Sequence, residues 1–293
     1  MSARGDAIAR AKACFLRACE LDVAVRKPGN VSRASAGHGM QADMFIASAQ
    51  AAVGPLFEPG APVGARIEAA VAATWAVAGC NTNLGILLLC APIATAVDRL
   101  PDALAPAALR ASIEAVLAGL DLSDAQAAFR AIAQAHPGGL GTAPEQDVHE
   151  PPSVDLRAAM ALAAPRDSIA RQYRDGFADL FDLDLPALGN GFALMREGAV
   201  AGGMATAVQR LYLTLLSEFP DSHIVRKYSD GVAQIVMTAA QAWRVRAASA
   251  VPLDSDPRFI AWDESLKADR INPGTTADLT VAALVIAGLQ ASV

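Results

Sequence analysis

Apolar residues recur at helical spacing through most of the chain. Over residues 7–25, Ile8, Ala11, Phe15, Cys19 and Val23 fall three or four positions apart, the stripe of an amphipathic helix. Pro28, Gly29, Gly37 and Gly39 punctuate the following stretch, RKPGNVSRASAGHGM, and end that helix. The same period predicts helices over 42–53, 63–79, 82–99, 107–119 and 123–135. A kink is expected at Pro92, since proline inside a helix removes a backbone donor. Residues 136–153 form the longest stretch without the period and read as a linker or flexible lid. Beyond it helices are expected over 155–163, 167–181, from a glycine-spotted patch at 186–203 to 218, then 222–248, 260–268 and 274–289. No stretch alternates as a strand would, and no segment repeats at a fixed period. The expectation is one all-α globular domain spanning residues 1–293, with roughly a dozen helices.

Composition agrees. Hydrophobic residues make up 53% of the 293 and charged ones 18%, which provides ample core and little material for disorder. Alanine dominates and aromatics are 5%, a mix that favours closely packed helices over sheet. The net charge of -6 argues against non-specific nucleic-acid binding, which needs a positive footprint. The most apolar runs, 84–97 and 279–289, are shorter than the roughly 20 residues that span a bilayer. They are expected as core helices, with no membrane partner. The N-terminus, MSARGDAIARAKA, lacks an apolar signal core, so a cytoplasmic location is expected. Cys14, Cys19, Cys80 and Cys90 lie in apolar segments without C-x-x-C spacing and read as small core residues in a reducing compartment.

Against this apolar background, polar residues collect in four short clusters. Lys27, Pro28, Gly29, Asn30, Val31 and Ser32 combine an ammonium, an amide, a hydroxyl and a pliable backbone, a set suited to phosphate oxygens. An ordinary turn with a solvated lysine explains them too. His38, Asp43 and Ser48 follow, Asp43 reading either as a metal ligand or as a helix cap. The second cluster, Asn81, Thr82, Asn83 and Gly85, precedes a strongly apolar helix. One capping residue is ordinary there; three exceed the need, and a helix start also seats an anion. Upstream, Glu68 and Thr74 share one helix, Glu68 reading equally as a solvated residue. In the third cluster Asp221 or Ser222 caps a helix that carries His223, Arg226 and Lys227 on one face, fit to neutralise phosphates or to stand as a solvated basic patch. The fourth, Ile271–Asp278, has Asn272 as a helix cap and Pro273 at the first helical position. Gly274, Thr275 and Thr276 then offer N–H groups and hydroxyls to an anion, and Asp278 could hold a magnesium ion or simply favour the helix dipole.

Taken in order, KPGNVS with HGM and ADM, Phe45, Ser48 and Ala49, CNTNLG, PDSHIVRK and INPGTTADL resemble the triphosphoribosyl-dephospho-CoA synthase family over most of the chain. The KPG start and the PG-x-x-AD-L ending are its most specific parts. The resemblance implies an all-helical pentosyltransferase that moves a triphosphoribosyl group from ATP to a hydroxyl of dephospho-CoA or a related cofactor precursor, with Mg²⁺ and release of adenine. It implies ligand contacts at Lys27, Asn30, Ser32, Asn81, Thr82, Asn83, His223, Arg226, Lys227, Gly274, Thr275 and Thr276. Asp43, Glu68 and Asp278 become the candidates for metal or acid–base work, with His38 as a further catalytic candidate. Its partners would be a nucleotide and a small cofactor precursor, and a homodimer is compatible with it. Where family members carry a His-Lys pair after the Asn-Thr of the second cluster, Asn83 and Leu84 stand here. An Arg-Gly-Glu-Ala motif followed by Gly-Phe-Pro also lacks a convincing counterpart near 189–197. These departures resemble the divergent branch of archaea and C1-metabolising bacteria. Phosphorylated-ribosyl chemistry in pterin or furan cofactor synthesis, or a non-catalytic nucleotide-binding protein, are the readings they leave open.

Overall fold

Two helices with no polar stripe have no solvent-facing side to offer, so they must be surrounded. In the computed structural model, which describes residues 3–100, 106–183, 202–247 and 252–290, these are Leu84–Arg99 (α4) and Gly274–Gln290 (α14). Every residue of α4 from Leu84 to Asp98 is buried, and α14 is buried from Thr275 to Leu289 apart from Asp278. They pack on each other. Ala3–Ala24 (α1) lies against both, followed by Ala42–Leu56 (α2) and Val63–Ala78 (α3). Pro106–Ala118 (α5) covers α4, and Leu122–Ala135 (α6) covers α3. Leu156–Ala163 (α7), Ser168–Asp175 (α8) and Ala178–Phe181 (α9) close one side.

A smaller core is built by Gly202–Glu218 (α10), Ser222–Lys227 (α11), Asp230–Ala247 (α12) and Pro257–Ala268 (α13). Trp243 stacks on Trp262 at 6.3 Å and meets Phe259 edge-on at 5.0 Å. The described residues hold fourteen α-helices and no strand, the all-α architecture expected. None of these helices is long and apolar enough to cross a membrane. All four cysteines are free, Cys19 and Cys90 fully buried.

Most boundaries fall within a few residues of the expected ones, and α4 runs unbroken through Pro92. Two helices expected as single are divided. The segment 167–181 breaks at Gly176 and Phe177, both left-handed (φ +65° and +61°). Gly176 adopts that conformation freely, whereas Phe177 is held there by a fully buried ring beside Tyr173. The segment 222–248 breaks at Tyr228–Ser229. The Tyr228 hydroxyl donates to the Arg270 carbonyl at 2.9 Å, and Ser229 Oγ accepts from Val232 N to start a new helix. Helix α13 begins earlier than expected because Asp256 caps it and Pro257 sits at its first position. Residues 184–201, which hold most of the glycine-spotted patch, lie outside the described residues.

Candidate active site

The first and fourth clusters interlock. Gly29 is left-handed (φ +81°), and a Cβ there would stand 2.7 Å from Pro273 Cδ, so only glycine lets the two loops meet. Asn30 Nδ2 donates to Asn272 Oδ1 at 3.0 Å across that contact. Behind it, the buried Asp263 carboxylate accepts from Gly29 N at 2.9 Å and Lys267 Nζ at 2.9 Å, and pairs with Arg26. Tyr212 donates to the Pro28 carbonyl at 2.8 Å. Lys27 is fully enclosed: its ammonium donates to the Asp22 carbonyl at 2.6 Å and Asn30 Oδ1 at 2.9 Å, and lies 3.0 Å from Asp22 Oδ1.

The second cluster starts α4 and faces α14. Asn81 Oδ1 accepts from Leu84 N at 3.1 Å, while Thr82 Oγ1 donates to Ser48 Oγ at 2.7 Å and ties the turn to α2. Asn83 is buried, and its Nδ2 has no hydrogen-bond partner. A Cβ on Gly85 would stand 2.0 Å from Asp278 Oδ2, so the glycine makes room for that carboxylate. Asp278 accepts no hydrogen bond from the described residues. Burial, then the charges of Asp22 and Asp221, raise its pKa well above the usual carboxylate range.

The third cluster turns on Asp221. Its Oδ1 accepts from His223 N at 2.9 Å and Ile224 N at 3.0 Å, capping α11. Its Oδ2 accepts from Thr276 N at 2.7 Å and Thr276 Oγ1 at 2.8 Å, capping α14. The His223 ring packs on the first turn of α14, where a Cβ on Gly274 would lie 2.6 Å from Nδ1. Burial, with Arg226 and Lys227 nearby, lowers the His223 pKa to about 4, so the imidazole is neutral at pH 7. Arg226 pairs with Asp167, the cap of α8, and its Nε is buried without a partner.

Between these elements lies a cleft of about 410 Å³. Its polar side chains include Asn30, Asn81, Asn83, Thr275 and His223, and its apolar wall includes Leu84, Leu88, Phe129 and Met160. The charged residues lining it are Asp22, Asp147, Asp167 and Asp278 against Arg166 and Arg226. Residues 137–148 form one rim. Asp147 holds this loop by accepting from Ala143 N and His149 N, and Gly139 (φ +74°) abuts the Arg226 carbonyl, where a Cβ would stand 2.8 Å away.

The family model of CitG, described as ATP:dephospho-CoA triphosphoribosyl transferase, matches residues 8–293. The chain belongs to the ATP:dephospho-CoA triphosphoribosyl transferase family. It is therefore a transferase by family and an enzyme. A solved structure from Archaeoglobus fulgidus, described as that of a candidate triphosphoribosyl-dephospho-CoA synthase, superposes with a TM-score of 0.60. The two share 23% identity over 84% of this chain and 99% of the other, a likeness of fold. No curated protein sequence matches the chain significantly.

Against that transferase family, the expected site residues divide. Asn30, Asn81, Thr82, Asn83, His223, Arg226, Gly274, Thr275 and Asp278 line the cleft. Asp43 and Glu68 do not: the Asp43 side chain is 87% exposed and pairs with Arg33, and Glu68 makes a two-pronged pair with Arg130 at 2.6 and 2.8 Å. The carboxylates Asp43, Glu68 and Asp278 therefore do not meet on one ion. Lys27 and Thr276 are committed to internal partners, as above. Ser32 is buried in a tight turn against Ser35. His38, left-handed at φ +57°, hydrogen-bonds the Gly29 carbonyl through Nε2 at 2.8 Å, outside the cleft lining. Lys227 is exposed over the Tyr228 ring. Asp22, Asp147, Arg166 and Asp167 were not among the expected residues. Only a fold brings them to the cleft.

Among the described residues no three His, Cys, Asp or Glu side chains gather as a protein-only metal cage. The donor chemistry does fit magnesium carried in with phosphate. Mg²⁺ is commonly held by one or two carboxylates plus substrate oxygens, and Asp278 is a carboxylate without a hydrogen-bonding partner among the described residues.

Proposed function

We propose that this cleft transfers the triphosphoribosyl group of ATP to a hydroxyl of dephospho-CoA or a closely related cofactor precursor, releasing adenine. The observation that carries the reading is Asp278: within a family matched over residues 8–293, the one cleft carboxylate among the described residues with neither cap nor ion pair stands beside Gly85. Asp147 and Asp167 act as loop and helix caps, and Asp22 is paired with Lys27.

Four carboxylates against two guanidiniums make the cleft a poor host for a bare triphosphate. Magnesium bound with the nucleotide would offset that excess and would supply charge neutralisation on the phosphates. Asp278 would hold it. Arg226 and Arg166 face the phosphates, and neutral His223 with the Thr275 hydroxyl contributes hydrogen bonds. In the transfer, the acceptor oxygen forms a bond to ribose C1′ while the bond from C1′ to the adenine N9 breaks. The electron pair leaves with adenine, which takes up a proton, and the acceptor hydroxyl gives its proton to Asp22. Burial raises the Asp22 pKa against the pull of Lys27, which favours proton uptake. Asn83 Nδ2 offers a neutral donor to the substrate, and the apolar wall seats its uncharged parts. The rim at 136–153 acts as a lid that excludes water from the reacting carbon.

Uncharged Asn83 and Leu84 at the mouth of α4 favour a second reading, in which the acceptor is another phosphorylated-ribosyl precursor rather than dephospho-CoA. Chromatography of adenine separates the cases. Adenine released from ATP with Mg²⁺ and dephospho-CoA, and reduced at least 100-fold in Asp278→Asn, supports the first reading. Release only with another acceptor supports the second, and no release with any acceptor sinks both.

A further inference from the structure

We infer that Asp221 is a positioning residue that fixes the two sides of the nucleotide site relative to each other by capping two helices with one carboxylate. This rests on the proposed reaction, because it concerns how MgATP is held.

The four hydrogen bonds divide evenly. Oδ1 serves α11, which carries His223 and Arg226, and Oδ2 serves α14, which carries Thr275 and, one turn in, Asp278. A cap ordinarily serves its own helix. Here the second oxygen reaches 55 residues along the chain, to a backbone N–H and a hydroxyl of the same threonine. The carboxylate is only 2% exposed, so no water competes for these bonds. A second contact keeps the arrangement from pivoting: His223 packs on Gly274, where no side chain intervenes. Ser222 Oγ accepts from Ser168 N at 2.8 Å and extends the brace to α8, next to Asp167 and its partner Arg226.

A ligand that touches Arg226 through phosphate and Asp278 through a metal ion spans both helices. Its affinity depends on their spacing, and the metal-dependent part depends on it most. Asn at 221 cannot replace the carboxylate, since its amide nitrogen would face N–H donors on one of the two helices. Valine at 276 removes only the hydroxyl bond, and serine restores it.

The test measures ATP affinity with and without Mg²⁺ by calorimetry, beside the unliganded melting temperature. In the wild type, Mg²⁺ tightens ATP binding. In Asp221→Asn the metal-dependent gain falls at least tenfold, while affinity for metal-free ATP changes less than threefold. Thr276→Val loses part of the gain without a large change in melting temperature, and Thr276→Ser recovers it, which keeps the inference open to refutation should Asp221→Asn fail to fold. An unchanged metal-dependent gain in Asp221→Asn or Thr276→Val, even with lower melting temperature, reduces Asp221 to a structural cap and overturns the inference. A wild type that neither binds MgATP nor releases adenine overturns the reaction and the brace together.

Discussion

Lys27 shows how far residue type leads and where it stops. Its place in a KPGN loop is legible as a phosphate contact, yet Asp22, one turn back on α1, takes the charge before any ligand can. The pair holds the loop that meets Pro273. Replacing Lys27 with methionine leaves the Asp22 carboxylate buried and unpaired, which costs about 3–5 kcal/mol. A denaturation midpoint that falls accordingly, beyond any change in substrate affinity, is the expected result. His223 carries a pH signature. Its pKa falls from 6.5 in the unfolded chain to about 4 when folded, so the native state binds fewer protons between those values. Its contribution is present above pH 6.5 and is lost as pH falls toward 4. The difference amounts to up to about 3 kcal/mol at 1.36 kcal/mol per pKa unit. Urea unfolding at pH 7 and pH 4.5 should show His223→Gln losing less stability than the wild type. Equal losses would contradict a buried neutral imidazole. Asp43 and Glu68 illustrate the opposite limit: a carboxylate in an informative stretch says nothing of Arg33 or Arg130, which fold beside it.

At the scale of elements, the helical period carries most of the fold. Helices α2 to α7 and α14 appear near their expected bounds because each has a continuous stripe and a punctuated end. The breaks at Gly176 and Tyr228 escape that reasoning, since the flanking residues keep helical spacing while tertiary contacts to buried rings and to Arg270 set the chain direction. The glycines and prolines of 136–153 mark a loop, but not that it lines a cleft. Gly139 decides its path. Alanine there meets the Arg226 carbonyl at 2.8 Å from a left-handed backbone, so Gly139→Ala should lift the rim from α11. Faster proteolysis within 136–153 and a severalfold higher KM for ATP, with the melting temperature nearly unchanged, are expected. Unaltered cleavage and KM would show that the rim is not held through this contact.

For the molecule as a whole, α4 and α14 were legible as buried helices from their lack of a polar face, whereas their direct packing was not. That packing makes the site: Gly85 on one admits Asp278 on the other, and the Gly29–Pro273 contact and the Asp221 carboxylate bring in the remaining clusters. The order of the motifs along the chain identified the family, while the carboxylates around the cleft came together only through the fold. The central claim is that this cleft joins ATP and a cofactor precursor at ribose C1′. The most direct measurement is mass spectrometry of dephospho-CoA incubated with the protein, ATP and Mg²⁺. The account predicts an acceptor heavier by one triphosphoribosyl group, formed in equal amount with adenine and absent without Mg²⁺. Acceptor recovered unmodified, with ATP intact or cleaved only at its phosphates, would contradict it.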